Sequence, residues 1–595
     1  MAGEEIGYLT GSVRPSEFDL KLTDRKVGKG AFIKVKHPVY GWVLAKVDTL
    51  KTYLDDFDQD ETQGHAYTVG YFEDGKVLSP KTPFNPQEKV YPADRKLISD
   101  VLSLGQKRSE SIYLGFLEGH DLPVYLDVKK TIEKHMSVLA KTGAGKSYAV
   151  AVILEELLKN KVPIVVIDPH GEYSSLCVEN DDYDGMMRYN VQVRSYADQV
   201  VEYTTDLEIN PHAKKFVLRA DFTMEELLDI IPITLTEKEK SVLYTALQDM
   251  RSGYALQDLI SRIEEEPTKL KWKVLDGLQD LTKSGVFDGP PTPYADLVAE
   301  GRCAIINLKG TVPSIQQLVV TRLTKELFHL KTIGKIPEVF YLVEEAHNFC
   351  PERGFGDVMS STILRTVASE GRKFGFHLCV VSQRPARIDK NVLSQCTTQI
   401  ILKVTNPNDL SAIRHSIEGF TAGMEEEIQQ LSVGHALVVS EALKQPITVD
   451  IRTRETKHGA KPKFDETGKV KQPPRPPPGI LVKKPPRDGR TKVPEEPPKS
   501  PGLLERIASL FLAPDDKGQP KTSQGSGNWF TGLFIAPEVK KEALEKPKEK
   551  KPAKDEGPAK DDGKVEVEYV GDDELDKADK RKKIDSLFSE DEEKE

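Results

Sequence analysis

Short apolar runs broken by Gly, Pro and Asp mark the first hundred residues. The runs at 32–36, 41–47 and 66–71 have the length and spacing of β-strands. Their density predicts a small barrel or sandwich over residues 1–111. From 112 the pattern changes. Short apolar runs at 137–140, 164–167, 303–308, 339–343, 377–381 and 399–404 alternate with stretches of helical spacing. That alternation predicts an α/β domain over 112–455, a parallel sheet with helices on both faces. Between 222 and 288 the pattern is helical and charged, as in 224–228, 241–250 and 256–265, and reads as a helical insertion. From 456 to 595 Pro, Lys, Glu and Asp dominate. Such a segment buries too little apolar surface to offset its ordering entropy, which predicts a disordered tail. Two apolar islands interrupt it, at 502–514 and 529–537. Their endings, Leu-Phe-Leu-Ala-Pro and Leu-Phe-Ile-Ala-Pro, are alike, and Ser586-Leu587-Phe588 is a fainter echo. They read either as docking motifs for a partner protein or as segments that fold back on the body.

Length and charge narrow the class. At 595 residues the chain holds more than one core. Its net charge of −10 gives no global signal for nucleic acid, though a basic channel can sit in an acidic protein. No apolar run reaches the roughly 18–20 residues that span a bilayer. The acidic start, Met1-Ala2-Gly3-Glu4-Glu5, lacks a signal peptide's apolar centre. Five cysteines without C-x-x-C spacing read as buried thiols in a reducing compartment. The expectation is a cytoplasmic protein with no membrane segment.

The chemistry starts at 135–147. The apolar run at 137–140 leads into Lys141-Thr142-Gly143-Ala144-Gly145-Lys146-Ser147, and Tyr148 opens a helix. Strand, Gly-rich turn and helix in that order make a phosphate cradle, with backbone N–H groups aimed at anionic oxygens. ATP is the expected ligand of residues 142–148. Lys146 reaches its β- and γ-phosphates, and the Ser147 hydroxyl ligates Mg²⁺. The first glycine of the usual pattern is Ala140 here. The run at 339–343 ends in Glu344-Glu345, at the strand end where open α/β sheets bind ligands. Glu344 is expected in the Mg²⁺ shell, and Glu345 is expected to act as general base on the attacking water. Glu344 stands where most such sites carry Asp. Asp168, His170 and Glu172 end another strand beside the crevice, where one of them can orient water or sense the γ-phosphate. Gln383 ends a third. Arg372 precedes that strand, so it lies far from its own ATP and is suited to a neighbour's.

Together the segments 134–147, 168–173, 343–349 and 370–375 resemble archaeal members of the HerA/FtsK group of DNA-pumping ATPases. The resemblance covers about 27–455 and omits the tail. It implies a RecA-like P-loop domain behind a HerA-type N-terminal barrel. It also implies a homo-hexamer with ATP at each interface, double-stranded DNA in the pore, and work with a NurA-type nuclease in end resection. By the same resemblance Lys146, Ser147, Glu344, Glu345 and Gln383 act in cis and Arg372 in trans. The loop at 351–357, with Arg353, and the nearby Arg387 and Lys390 are expected to meet DNA phosphates without reading sequence. Two rivals stay open: a conjugation- or secretion-type ATPase of the same superfamily, and a ring scaffold that ATP only locks. A P-loop kinase has no acceptor site to support it.

Overall fold

The computed structural model describes residues 4–473, apart from 25–26, 55–59, 105–109, 220–221, 232, 251–253 and 357. The apolar islands of the tail lie outside the described residues.

The alternating N-terminal runs form β1 (Gly7–Val13), β2 (Glu17–Leu22), β3 (Phe32–His37), β4 (Gly41–Leu54), β5 (Asp60–Glu73), β6 (Lys76–Leu78) and β7 (Lys89–Pro92). Their order is β2-β1-β7-β3-β4-β5, and β2 pairs again with β5. That second pairing closes a six-stranded barrel, to which β6 adds a hairpin. Closure removes the unpaired strand edges that an open sheet exposes. Leu9, Phe18, Leu20, Val35 and Val43 fill the interior. A helix, α1 (Arg95–Leu102), follows, its first turn capped by the Asp94 carboxylate.

The next elements are β8 (Ser111–Leu117), β9 (Pro123–Asp127), α2 (Val128–Ile132), β10 (Met136–Leu139), α3 (Lys146–Lys159) and β11 (Ile164–Asp168). After them come α4 (Tyr183–Tyr189), β12 (Val200–Thr204) and β13 (Lys214–Lys215). The charged helical stretch is α5 (Met224–Ile230), α6 (Glu237–Gln248), α7 (Leu256–Glu264) and α8 (Lys271–Lys283). Thr223 starts the first of them with a reciprocal cap to Glu226, and at the start of the second the Thr236 amide donates to the Glu239 carboxylate at 2.7 Å. The chain then returns through β14 (Cys303–Asn307), α9 (Pro313–Thr332), β15 (Val339–Val343), α10 (Ser361–Phe374) and β16 (Phe376–Ser382). It ends with α11 (Lys390–Gln395), β17 (Thr398–Ile401), α12 (Pro407–Ser416), α13 (Ala422–Gln430), β18 (His435–Val439) and β19 (Ile447–Ile451).

These strands form one twelve-stranded sheet, ordered β13-β12-β14-β11-β15-β16-β10-β17-β18-β19-β8-β9. The pairings from β13 to β17 are parallel, and the rest are antiparallel. Parallel strands covered on both faces need continuous apolar runs, and β11, β14, β15 and β16 are buried at every position. One face packs against α3, and the other against α9, α10 and the helices of the insertion. The fold is a RecA-like P-loop domain behind a small barrel. The ends of β10, β11, β15 and β16 lie together at one edge of the sheet, and that edge carries the site.

Residues beyond β19 depart from the expectation of disorder from 456 onward. A strap from Arg452 to Gln472 lies along the body. Arg452 is fully buried, 3.0 Å from Glu155 and 2.8 Å from Glu156 of α3. The Glu455 and Thr456 amides each donate to Glu155 at 3.0 Å. Farther on, Lys457 pairs with Asp181 at 2.6 Å, Phe464 stacks 4.0 Å from His212, and Gln472 accepts from the Glu179 amide at 2.8 Å. Composition hid this anchoring, because the strap is held by polar pairs to distant residues instead of by apolar burial. Among the described residues no helix is long and apolar enough to cross a membrane. Of the cysteines, Cys303, Cys350, Cys379 and Cys396 are buried and Cys177 is partly so; all five are free thiols.

Candidate nucleotide site

The turn at 140–145 leaves β10 between β16 and β17 and enters α3. Gly143 has φ +78° and Gly145 φ +99°, left-handed values that glycine adopts without strain. Ala140 is fully buried in ordinary backbone, its amide bound to the Ser382 carbonyl at 3.2 Å. That position needs no glycine, which accounts for the departure from the usual pattern. Gly145 caps α3 without a side chain, so the first amides of a 14-residue helix face the cleft.

Lys146, Glu344, Glu345 and Gln383 meet at this edge. The Lys146 ammonium lies 2.5 Å from Glu344 Oε1 and 2.5 Å from Glu345 Oε1. Gln383 Nε2 donates to Glu345 Oε1 at 2.6 Å, and its carbonyl accepts from the Thr142 hydroxyl. Glu344 Oε2 accepts from the Tyr173 hydroxyl at 2.5 Å. Glu345 sits at φ +51°, a left-handed value that a glutamate pays for in strain. Its Oε2 is buried and has no hydrogen-bond partner among the described residues. His347 Nδ1 stands 3.3 Å from it and 3.0 Å from Ser382 Oγ.

One ammonium serves two buried carboxylates, so the pair carries one negative charge too many for a dry site. Burial pushes Glu344 up, against the pull of Lys146 and the Tyr173 hydroxyl. Burial acts the same way on Glu345, but there Lys146 and Gln383 outweigh it and hold the carboxyl low. Lys146 is raised: its own burial lowers it, and the two glutamates more than offset that. A polyanion entering the cleft competes for the same ammonium.

Of the three residues at the end of β11, only Glu172 reaches the turn, where it accepts from the Ser147 hydroxyl. Asp168 does not reach the cleft and stands as a correction. Its carboxylate is fully buried and accepts from the amides of His170 at 3.3 Å, Gly171 at 2.8 Å and Tyr173 at 3.0 Å. It shapes its own loop, and burial pushes it up to about 7. His170 is exposed on that loop. Arg372 is exposed in the last turn of α10. That turn precedes β16, and six residue steps of strand put it roughly 20 Å from Gln383.

The cleft is a cavity of about 670 Å³, within the size of small-molecule sites. Its walls include residues that sequence reasoning missed: Val433, Gly434, Thr453 and His458, and the Arg188–Asp450 pair at 2.5 Å. No local motif marks them, because they come from α4, the α13–β18 loop, β19 and the strap. Tyr173 was also missed as a site residue, although it lies inside a quoted segment. Arg353 and Arg387 are exposed on two loops that pack together, and Lys390 is exposed at the start of α11. Glu352 pairs with Lys390 at 3.3 Å, and Arg387 lies 5.2 Å from the Phe355 ring centre.

Among the described residues no cluster of three His, Cys, Asp or Glu side chains is able to hold a metal alone. Mg²⁺ asks for less, because it keeps several waters and shares phosphate oxygens with one or two protein groups. Ser147, which donates to Glu172, and Glu344, whose oxygens meet Lys146 and Tyr173, are the residues that would supply such groups, and Glu345 Oε2 would be left as an acceptor for water.

Comparison with known proteins gives one picture. A family profile described as "Helicase HerA, central domain" matches residues 112–327. A Methanocaldococcus jannaschii protein named "Probable DNA double-strand break repair helicase HerA" is 25% identical over 451 residues, 68% of this chain and 88% of that protein. The "DNA double-strand break repair helicase HerA" of Sulfolobus acidocaldarius is 26% identical over 498 residues, 78% of this chain and 96% of that protein. An uncharacterised Aquifex aeolicus protein is 35% identical over 217 residues, 28% of this chain and 80% of that protein.

Proposed function

We propose that this ATP-hydrolysing enzyme is a HerA-type homo-hexameric motor on double-stranded DNA. In this reading the duplex runs through the ring's pore. The motor works as a translocase and helicase in the cytoplasm, feeding a NurA-type nuclease in end resection and double-strand break repair. One observation carries the proposal: Lys146, Glu344, Glu345 and Gln383 converge on one cleft while Arg372 stands at the opposite end of the same sheet. The names of the relatives support DNA as the track, and the exposed Arg353, Arg387 and Lys390 supply sequence-independent phosphate contacts.

Residues 142–148 hold the phosphates of ATP, with Lys146 on the β- and γ-oxygens. Moving to them, Lys146 leaves Glu345. The freed carboxylate, steadied by Gln383, takes a proton from the attacking water at Oε2. Ser147 and Glu344 are the residues that would hold Mg²⁺, and the ion would supply neutralisation of phosphate charge. Arg372 of a neighbouring subunit meets the charge that develops on the transferring group.

The test is the rate of phosphate release with and without linear duplex DNA, with the partner nuclease present and absent. Stimulation by duplex DNA is expected. A rate indifferent to DNA, or no faster than that of Glu345→Gln, overturns the motor reading.

A further inference from the structure

His135 is a buried titratable residue that the mechanism above leaves unused. It stands at the entrance to β10, the strand that runs straight into the phosphate-binding turn. Its φ of +60° turns the chain out of α2 into that strand. Histidine tolerates this region better than most side chains, but it is a held conformation. Nδ1 accepts from the Leu378 amide of β16 at 2.9 Å. The ring proton of the neutral imidazole is therefore on Nε2. Burial keeps the ring neutral, with a pKa pushed down to about 4.

Nε2 is buried against the backbone carbonyls of Val367 and Ala368 in α10, which draw on its proton and partly offset the effect of burial, although neither contact reaches full hydrogen-bond geometry. Within an α-helix the Ala368 carbonyl is the partner of the Arg372 amide. The imidazole also touches the turn that carries the arginine: a Cβ on Gly371 would lie 3.5 Å from His135 Cε1 and 2.7 Å from the Phe376 carbonyl. So one side chain joins three things: the strand entering the P-loop, the start of β16, and the last turn of α10. It belongs to the first, bonds the second through Nδ1 and faces the carbonyls of the third with Nε2.

We infer that His135 is a positioning residue, a strut that ties the Arg372-bearing turn to the strand of its own P-loop. Nucleotide held in one site thereby sets where the arginine offered to the next site stands. The inference rests on the trans role proposed for Arg372. It makes that arginine's placement a function of its own subunit's nucleotide.

His135→Asn tests it in the full-length chain. Asparagine also tolerates positive φ, and its Oδ1 replaces the Nδ1 acceptor, but it has no group at the Nε2 position. ATP affinity, read with a fluorescent analogue, and KM are expected to stay within about twofold. Turnover is expected to fall about ten- to a hundredfold, the scale of a misplacement near one ångström. In an Arg372→Ala background the same substitution is expected to change the residual turnover by less than about twofold. A full fold-loss in that background, no loss in wild type, or a parallel loss of ATP affinity overturns the inference while leaving the Arg372 reading standing. If Arg372→Ala alone leaves turnover intact, the trans reading falls first and the strut falls with it.

Discussion

Glu345→Gln isolates the step for which the cleft is arranged. The amide keeps the volume of the carboxylate, and its oxygen can still accept from Lys146 and Gln383, as Oε1 does at 2.5 and 2.6 Å. The change falls on Oε2, the buried oxygen that has no hydrogen-bond partner among the described residues and lies 3.3 Å from His347 Nδ1. An amide nitrogen there cannot take a proton from water. Removing a positioned general base costs about 10²–10⁴-fold in rate. At 1.36 kcal/mol per decade that is about 3–5 kcal/mol of barrier. Affinity should move the other way or not at all. Lys146 is shared by two acids in the resting site, and losing one negative charge weakens the competition that the phosphates must overcome. The assay pairs steady-state phosphate release on linear duplex DNA with equilibrium binding of a fluorescent ATP analogue to the same preparation. Turnover within about tenfold of wild type would refute the assignment of Glu345 as base. Turnover and affinity falling together would make Glu345 a structural partner of Lys146 instead.

Lys146→Ala should weaken ATP binding by at least about a hundredfold, since it strands two buried carboxylates and removes the phosphate contact; unchanged affinity in the binding assay refutes the cradle. Arg452→Ala should cost about 3–5 kcal/mol of stability, read by thermal or urea unfolding, because it leaves Glu155 and Glu156 of α3 without their buried cation. Deleting 474–595 should leave phosphate release unchanged, whereas deletion from Arg452 onward should abolish it. The His135 ring, with a pKa of about 4 when folded against 6.5 when free, should favour folding fully above pH 6.5. That contribution, up to about 3 kcal/mol, is lost as pH falls from 6.5 towards 4, because the unfolded chain then takes a proton that the folded one refuses. Melting temperatures from pH 7 to 5 should therefore fall further for wild type than for His135→Asn, and parallel curves would refute the assignment.

What the sequence made legible was local. Residues 136–147 announce strand, turn and helix within a dozen positions, and Glu344 and Glu345 announce themselves as acids ending an apolar run. Both signals follow from backbone periodicity and from the place where parallel strands end. Tyr173 and Asp168 show where that reasoning stops. They are neighbours in one segment, yet the loop turns Tyr173 towards Glu344 and folds Asp168 back on its own amides. Only the path of the loop decides between those outcomes. The far walls of the cleft were illegible for a different reason. Val433, Thr453 and His458 reach it through the antiparallel extension of the sheet and the strap, and each is hundreds of residues from the P-loop. From 456 onward the strap reads as tail by composition, since Thr456, Lys457 and the polar residues after them look solvated until Glu155 and Asp181 are found beside them.

That same strap sets a schedule for the chain's birth. The acids of α3 emerge from the ribosome early, while Arg452, the cation of Glu156, follows 296 residues later. At about 5–20 residues per second the helix behind the P-loop waits roughly 15–60 s for its counter-charge. During that interval β8 also lacks β19, the neighbour against which it closes the sheet. A nascent chain therefore holds the whole P-loop sequence before the acids of α3 have their cation, and ATP turnover is expected only once nearly all of the described body has been made.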